Sequence, residues 1–282
     1  MLTKLNLKPH RITGVSVGGV YTSLLVPEVD SIFDAGLAPR SFVGASNLFL
    51  SHAHADHLGG LPGLLGQRGL AQLPTPRIFL PEEIHQSVLD GLHAFNRDMP
   101  RQLEIKCVPV SPGDEHEIAG ELYAKVFRTL HSVPSVGYSL VRKVRKLKTE
   151  YLHLRSSEIA SLRKHGEELF RYEVRGEVAY VTDTLIDVLD QNPALYDSTT
   201  LILECTFLDK RKSVGESRKK SHVHLDEIIE RADHFKNKNL ILMHFSQVYQ
   251  PREVHEILKK RLPANLQERV RVFAPKNGPW PG

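Results

Sequence analysis

"LFLSHAHADHLGG", residues Leu48–Gly60, is the stretch on which the reading of this chain turns. Its opening run, Leu48–Ser51, has the length and character of a buried strand, and it breaks at once into His52, His54, Asp56 and His57 before two glycines. Four nitrogen and oxygen donors within six positions, directly after a strand, describe a loop that gathers ligands. Neutral imidazole and carboxylate suit zinc, which binds such donors at about 2.0–2.1 Å. Buried without a partner, the same groups would be costly. A polar surface loop that happens to be rich in histidine is the plain alternative, and the apolar strand in front of it weighs against that.

One loop cannot close two metal sites, so further donors are sought at the ends of other apolar runs. Three stand at that place: His131 after "AKVFRTL", Asp183 after "VAYVT" and His244 after "NLILM". Their common position in the strand pattern predicts that all converge at one edge of a sheet structure. Asp183 is the natural bridge, because one carboxylate can bind two ions while holding them apart.

The surrounding pattern fits a single domain over residues 1–282. The 282 residues are 41% hydrophobic and 25% charged, ordinary globular values with ample length for a core. Val15–Val26 and Ser31–Phe33 read as hairpin strands, and further strands are predicted at 77–80, 103–110, 122–130 and 137–141. In the second half, strands at 178–182, 201–205, 239–243 and 270–273 alternate with helices at 225–235 and 252–262. An amphipathic helix from Glu82 to about Met99 carries Ile84, Val88, Leu92 and Phe95 at helical spacing. Early hairpins followed by alternating strands and helices predict an α/β sandwich, two sheets face to face with helices outside. The tail "APKNGPWPG" is expected to fray. Two cysteines, Cys107 and Cys205, sit in apolar runs and suggest a reducing compartment. With no signal-peptide core and no membrane-length apolar run, a soluble cytoplasmic protein is expected.

With its later histidines and aspartate, the Ser51–Gly60 stretch resembles the metallo-β-lactamase fold, a four-layer αββα sandwich. Five more stretches narrow the resemblance to ribonuclease Z, the tRNA 3′-processing endonuclease. They are "HSVPSVGY" (131–138), "VTDT" (181–184), "ECTFLD" (204–209), "SHVHLDEI" (221–228) and "HFSQVY" (244–249). The resemblance implies two Zn²⁺ per subunit, with Mn²⁺ also able to take these donors. It assigns one ion to His52, His54 and His131, the other to Asp56, His57 and His244, with Asp183 bridging. Glu204 and His222 match the pair that protonates the leaving oxygen, with His224 a rival for His222. Asp56 is expected to accept the proton of the attacking water besides acting as a ligand. Asp34 either supports the ligand loop or simply ends its strand. Two positions depart from the family pattern. Thr182 replaces a glycine beside the metals and is expected to narrow the site. Val248 replaces an arginine expected near substrate phosphate, for which Gln247 or a nearby lysine is the candidate substitute.

The implied reaction removes the 3′ trailer of precursor tRNA, leaving a tRNA 3′-hydroxyl and a 5′-phosphorylated trailer. Charge supports an RNA partner mainly through its distribution, since the net value is only +4. Residues 141–166 form the most basic segment, with Arg142, Lys143, Arg145, Lys146 and Lys148 at its start. It resembles a compact version of the family's tRNA-gripping arm, with a short helix capped by Ser156 or Ser157 and ended by Gly166. Such cations bind phosphates by counterion release and carry little base specificity. A second basic run, Asp209–Lys220, either flanks the cleft mouth or forms a mobile loop kept soluble by charge. The resemblance also implies a homodimer. The rivals are a small-molecule phosphodiesterase or thioester hydrolase on the same fold, and a catalytically inactive RNA- or metal-binding protein.

Overall fold

The computed structural model describes residues 2–98 and 105–281. Two seven-stranded sheets are built in chain order and follow the same plan. The first runs β1 (Thr3–Asn6), β2 (Arg11–Val17), β3 (Tyr21–Val26), β4 (Ser31–Phe33), β5 (Asn47–Phe49), β6 (Arg77–Pro81) and β7 (Lys106–Val110). Its first four strands are antiparallel, and β4 to β7 are parallel. The second comprises β8 (Glu115–Ala119), β9 (Leu122–Arg128), β10 (Val136–Leu147), β11 (Phe170–Val181), β12 (Thr200–Glu204), β13 (Asn239–Met243) and β14 (Val270–Val272). Again an antiparallel half, β8 to β11, gives way to a parallel half, β11 to β14. Parallel neighbours need crossover connections, which explains why hairpins precede strand–helix alternation in each half of the sequence.

Three apolar clusters define four layers. Between the sheets, Ile12, Leu24, Phe33, Phe49 and Phe79 meet Ala124, Tyr138, Tyr180, Ile202 and Met243. Outside the first sheet, helices Leu61–Leu70 and Glu82–Arg97 bury Leu64, Leu65, Ile84, Val88 and Leu92. Outside the second, helices Leu225–Glu230 and Pro251–Arg261 contribute Leu225, Ile228, Val254 and Leu258. The expected αββα sandwich is therefore the observed one. An aromatic stack joins the sheets below the edge that carries the candidate site: Phe49 lies 4.7 Å from Phe79 and 4.9 Å from Tyr138, and Phe33 lies 5.0 Å from Tyr180.

Several local expectations are corrected. Phe95 is 63% exposed, although Ile84, Val88 and Leu92 of the same helical stripe are buried. That helix ends at Arg97, and its expected end at Met99 lies outside the described residues, as does the expected strand start at Leu103. The helix expected over 225–235 stops at Glu230 and continues as a 3₁₀ turn, Ala232–His234. The tail does not fray through Pro281: Trp280 Nε1 donates to Tyr249 O at 2.8 Å, and its ring packs on the core. A large aromatic with one satisfied donor outweighs the local effect of the surrounding Pro and Gly. The largest correction concerns residues 142–147, which continue β10 well past the predicted end at Val141. β10 and β11 pair from Tyr138 with Tyr180 out to Leu147 with Phe170, with a bulge after Leu140. Helix Ser156–Lys164 lies between the strands' outer ends.

Candidate active site

The strand ends of both sheets meet at one edge. The loop after β5 supplies His52 and His54, and His54 precedes the single-turn helix Ala55–Leu58 that carries Asp56 and His57. Asp183 follows β11 by two residues, His244 follows β13 directly, and His131 follows β9 by three. Asp34, Asp183 and His244 share an unusual left-handed backbone, with φ of 54°, 43° and 61°. For residues with a Cβ this costs roughly 1–3 kcal/mol each and persists only where surrounding structure imposes it. Gly36 is required for a different reason: a Cβ there would lie 1.9 Å from Asp56 O.

Two donor sets result. In the first, His52 Nε2 lies 3.0 Å and His131 Nε2 lies 3.4 Å from His54 Nδ1. Asp183 Oδ2 is 3.7 Å from His52 Nε2 and 3.8 Å from His131 Nε2. In the second, His57 Nε2 faces Asp56 Oδ2, Asp183 Oδ1 and His244 Nε2, each at 3.4 Å. His244 Nε2 lies 3.3 Å from Asp183 Oδ1 and 3.8 Å from Asp56 Oδ2. Tetrahedral bonds of about 2.0–2.1 Å place ligand atoms about 3.3–3.4 Å apart, so both sets match the edge lengths of a metal tetrahedron. Asp183 presents one oxygen to each.

The chemistry of the donors also fits cations. His57 Nδ1 lies 2.7 Å from Asp34 Oδ2, and a carboxylate only accepts, so Nδ1 donates. Ser51 Oγ donates to Asp34 Oδ2 at 2.8 Å and so accepts from His52 Nδ1 at 2.9 Å. The neutral forms of both imidazoles then aim bare Nε2 lone pairs into the clusters. Burial, joined by neighbouring His57, holds His52 well below the ordinary imidazole range; burial also lowers His131. His57 moves the other way: burial is outweighed by Asp183 and Asp34, which raise it well above that range. Burial acting alone would raise Asp56 and Asp183, yet the histidines keep both far below the usual carboxylate range. A compact knot of ionised carboxylates and inward-facing imidazoles is what a divalent cation would neutralise.

Asp34 is fully buried and accepts from Ser51 N, Ser51 Oγ, His57 Nδ1 and, at 2.6 Å, Tyr180 Oη. It therefore supports the ligand loop, one of the two alternatives open from the sequence. Tyr180 was not singled out by the sequence, because a tyrosine inside an apolar strand carries no local signal.

Beside the donor sets, Glu204 is fully buried at the end of β12, with His222 Nδ1 at 3.1 Å from its Oε1. His222 also has a ligand atom within 4.8 Å of donor atoms of Asp183 and His244. Against the lowering effect of burial, the Glu204 carboxylate raises His222 to about 9. His224 acts elsewhere, since its Nδ1 accepts from Asp226 N at 3.1 Å and caps the next helix.

Residues 29–245 match the family described as the β-lactamase superfamily domain. The chain is 34% identical to tRNase Z TRZ1 of Arabidopsis thaliana over 94% of its own length and 95% of that protein's. It is also 34% identical to tRNase Z TRZ2, chloroplastic, of the same plant, over 94% of this chain and 74% of that one. The chain belongs to the tRNase Z family. The short form of human tRNase Z shares the fold, with a TM-score of 0.59 at 18% identity over 92% of this chain and 94% of that one.

The two departures from the tRNase Z pattern have definite surroundings. Thr182 is 1% exposed and its hydroxyl donates to Asp183 Oδ1 at 2.8 Å. Against Val248 lies an arginine rather than a lysine: Arg211 Nη1 donates to Val248 O at 3.2 Å, and its guanidinium stacks 4.3 Å from the Tyr249 ring centroid. Arg211 is also bound by Asp209 and Glu253, so its charge is largely answered. The rest of that second basic run is ordered, with helix Val214–Lys219 capped by Ser213 and Glu216.

The five cations named at the start of the basic segment lie on β10 or just beyond it, away from the donor sets. Four have carboxylate partners: Arg142 with Glu177 at 3.1 Å, Lys143 with Glu115, Lys146 with Glu173 at 2.6 Å and Lys148 with Glu168 at 3.9 Å. Arg145 instead sits 3.7 Å over the Phe170 ring. Glu177 also meets the buried His10 at 3.3 Å, so Arg142 belongs to the hairpin's root. Arg163, Lys164 and Arg171, farther out, are exposed and have no carboxylate partner among the described residues.

Proposed function

We propose that this chain is a zinc-dependent endoribonuclease that removes the 3′ trailer from precursor tRNA, leaving a tRNA 3′-hydroxyl and a 5′-phosphorylated trailer. The observation that carries the proposal is two donor sets sharing Asp183, with a buried Glu204–His222 pair alongside. His52, His54, His131 and Asp183 would hold one Zn²⁺; Asp56, His57, His244 and Asp183 would hold the other, with Mn²⁺ as the alternative ion. When bound, the ions supply a water acidified toward neutral pH and positive charge against the phosphate's non-bridging oxygens. Asp56 accepts the proton of the attacking water. Glu204 aims His222, which gives its proton to the leaving oxygen.

Precursor tRNA is the proposed partner, gripped by the arm formed from residues 141–166 and the returning strand. The paired cations of β10 stiffen this arm, and Arg163, Lys164 and Arg171 offer free charge to phosphate. A homodimer is part of the proposal; exposed Leu70 and Phe95, at 88% and 63%, provide apolar surface for it on the outer helices. The two free thiols, Cys107 and Cys205, support a reducing, cytoplasmic setting, and no helix of the described residues is long and apolar enough to cross a membrane. The test is cleavage of a 3′-extended precursor tRNA with mapped ends, beside a chelator control and Asp183→Ala. One metal-dependent cut at the trailer junction supports the reading. No cut by the folded, zinc-loaded protein, with hydrolysis of a small phosphodiester intact, would transfer the assignment to a small-molecule phosphodiesterase.

A further inference from the structure

Two buried carboxylates flank the donor sets, and each reaches two histidines by the same pair of routes. Asp34 meets His57 directly and reaches His52 through the Ser51 hydroxyl. Glu204 meets His222 directly and lies 2.5 Å from the Thr206 hydroxyl, which is 3.1 Å from His244 Nδ1. Thr206 is only 4% exposed, and Glu204 also accepts from Thr184 N at 2.6 Å and Val223 N at 3.3 Å. With two backbone donors, a hydroxyl and an imidazole converging on it, Glu204 is surrounded as an anion.

The direction of the relay follows from counting protons. A hydroxyl has one, and an anionic carboxylate has none to give. Thr206 therefore donates to Glu204 and can only accept from His244, which places the imidazole proton on Nδ1. His244 Nε2 is left bare, and it faces Asp56, Asp183 and His57.

We propose that Thr206 is a positioning residue that fixes the tautomer and aim of His244 and ties the second metal position to the same carboxylate that orients His222. Glu204 thus has two dependents, one that holds the ion and one that serves the leaving group. The Ser51 relay is its counterpart at the first position, so each metal site has one histidine held through a hydroxyl. This inference rests on the metal reading above. Outer partners of this kind typically alter metal affinity or activity about 10–100-fold.

The experiment compares the full chain with Thr206→Val, which keeps the side-chain shape but removes the hydroxyl, and Thr206→Ser, which restores it. Imidazole nitrogen NMR of the metal-free proteins reads the His244 tautomer, zinc titration reads each equivalent's affinity, and steady-state cleavage separates kcat from KM. Expected for the wild type and Thr206→Ser is a proton on His244 Nδ1 and two tight equivalents. Expected for Thr206→Val is a mixed tautomer, a second equivalent weakened about 10–100-fold with the first unchanged, and lower kcat at constant KM. A wild-type proton on His244 Nε2, or unchanged second-site affinity in Thr206→Val, overturns the relay. Failure of the wild type to take up a second equivalent overturns the metal reading instead, while the NMR result still judges the relay. If Thr206→Val does not fold, the wild-type tautomer and the Thr206→Ser affinity decide between the two.

Discussion

The metal edge and the β10–β11 arm are both crowded with charge, but they treat it in opposite ways. On the arm, cations meet carboxylates: Lys146 reaches Glu173 across the β10–β11 ribbon, Arg175 holds the same Glu173 along β11, and Lys143 holds Glu115 of β8. Each pair is exposed or half-exposed, so it contributes little stability and largely cancels its own field. At the edge, buried imidazole nitrogens are driven against one another, His57 and His244 Nε2 to 3.4 Å. Backbone strain at Asp34, Asp183 and His244 helps hold them there. A region whose charges satisfy one another is finished by folding; a region whose lone pairs converge is finished by a ligand.

This contrast is most exposed at Asp183. Asp183→Ala removes an oxygen from each donor set, and cleavage of precursor tRNA should fall by well over about 100-fold, beyond the usual effect of an outer partner. Near-wild-type turnover would break the bridging assignment. His222→Ala should lower kcat by about 10²–10⁴-fold, the usual range for a positioned acid, with KM for tRNA and zinc content preserved. If His224→Ala gives that kinetic effect instead, the capping role assigned to His224 is wrong.

Stability should separate the regions too. With zinc at about 100 times its dissociation constant, the wild type should gain about 2.7 kcal/mol against thermal or denaturant unfolding, and lose it to a chelator. Unfolding curves that ignore zinc would show that the edge is satisfied without an ion. The smallest effects belong to the arm. Combined replacement of Arg163, Lys164 and Arg171 by alanine should raise KM for tRNA and flatten its dependence on salt, by roughly one unit of slope for each phosphate no longer neutralised. Replacing Lys146 or Lys143 should change KM less, because their charges are already answered. Equal effects from both groups would mean the arm's ion pairs open when RNA binds.

The candidate donors were legible because each group of them follows a strand-like run, and strand periodicity survives in a local window. His52 through His57, His131, Asp183 and His244 could thus be named before any fold was known. For Asp34 the sequence left two readings open, support of the loop or the end of a strand, since its four donors come from residues 51, 57 and 180. Thr206 carried no signal as a lone hydroxyl; its meaning arises only where β12 and β13 pair in parallel and set Glu204 beside Met243. The strand inside the arm escaped notice for a related reason. A window over Val141–Lys148 shows a run of cations, while the strand that pairs with it starts at Phe170 and its carboxylate partners lie twenty or more residues later, or earlier at Glu115.

The sequence by itself determined the alternation of most strands and helices, though not β1 or β8, together with the candidate metal donors and the family to which the chain belongs. These depend on local alternation, on residue chemistry and on the order of short motifs. Tertiary structure alone decided which Asp183 oxygen serves each donor set, that Asp34 reaches His52 through Ser51 and Glu204 reaches His244 through Thr206, and which arm cations lack a carboxylate partner among the described residues. Those are distances between side chains remote in sequence, and they take values only when two sheets have packed and brought their strand ends to one edge.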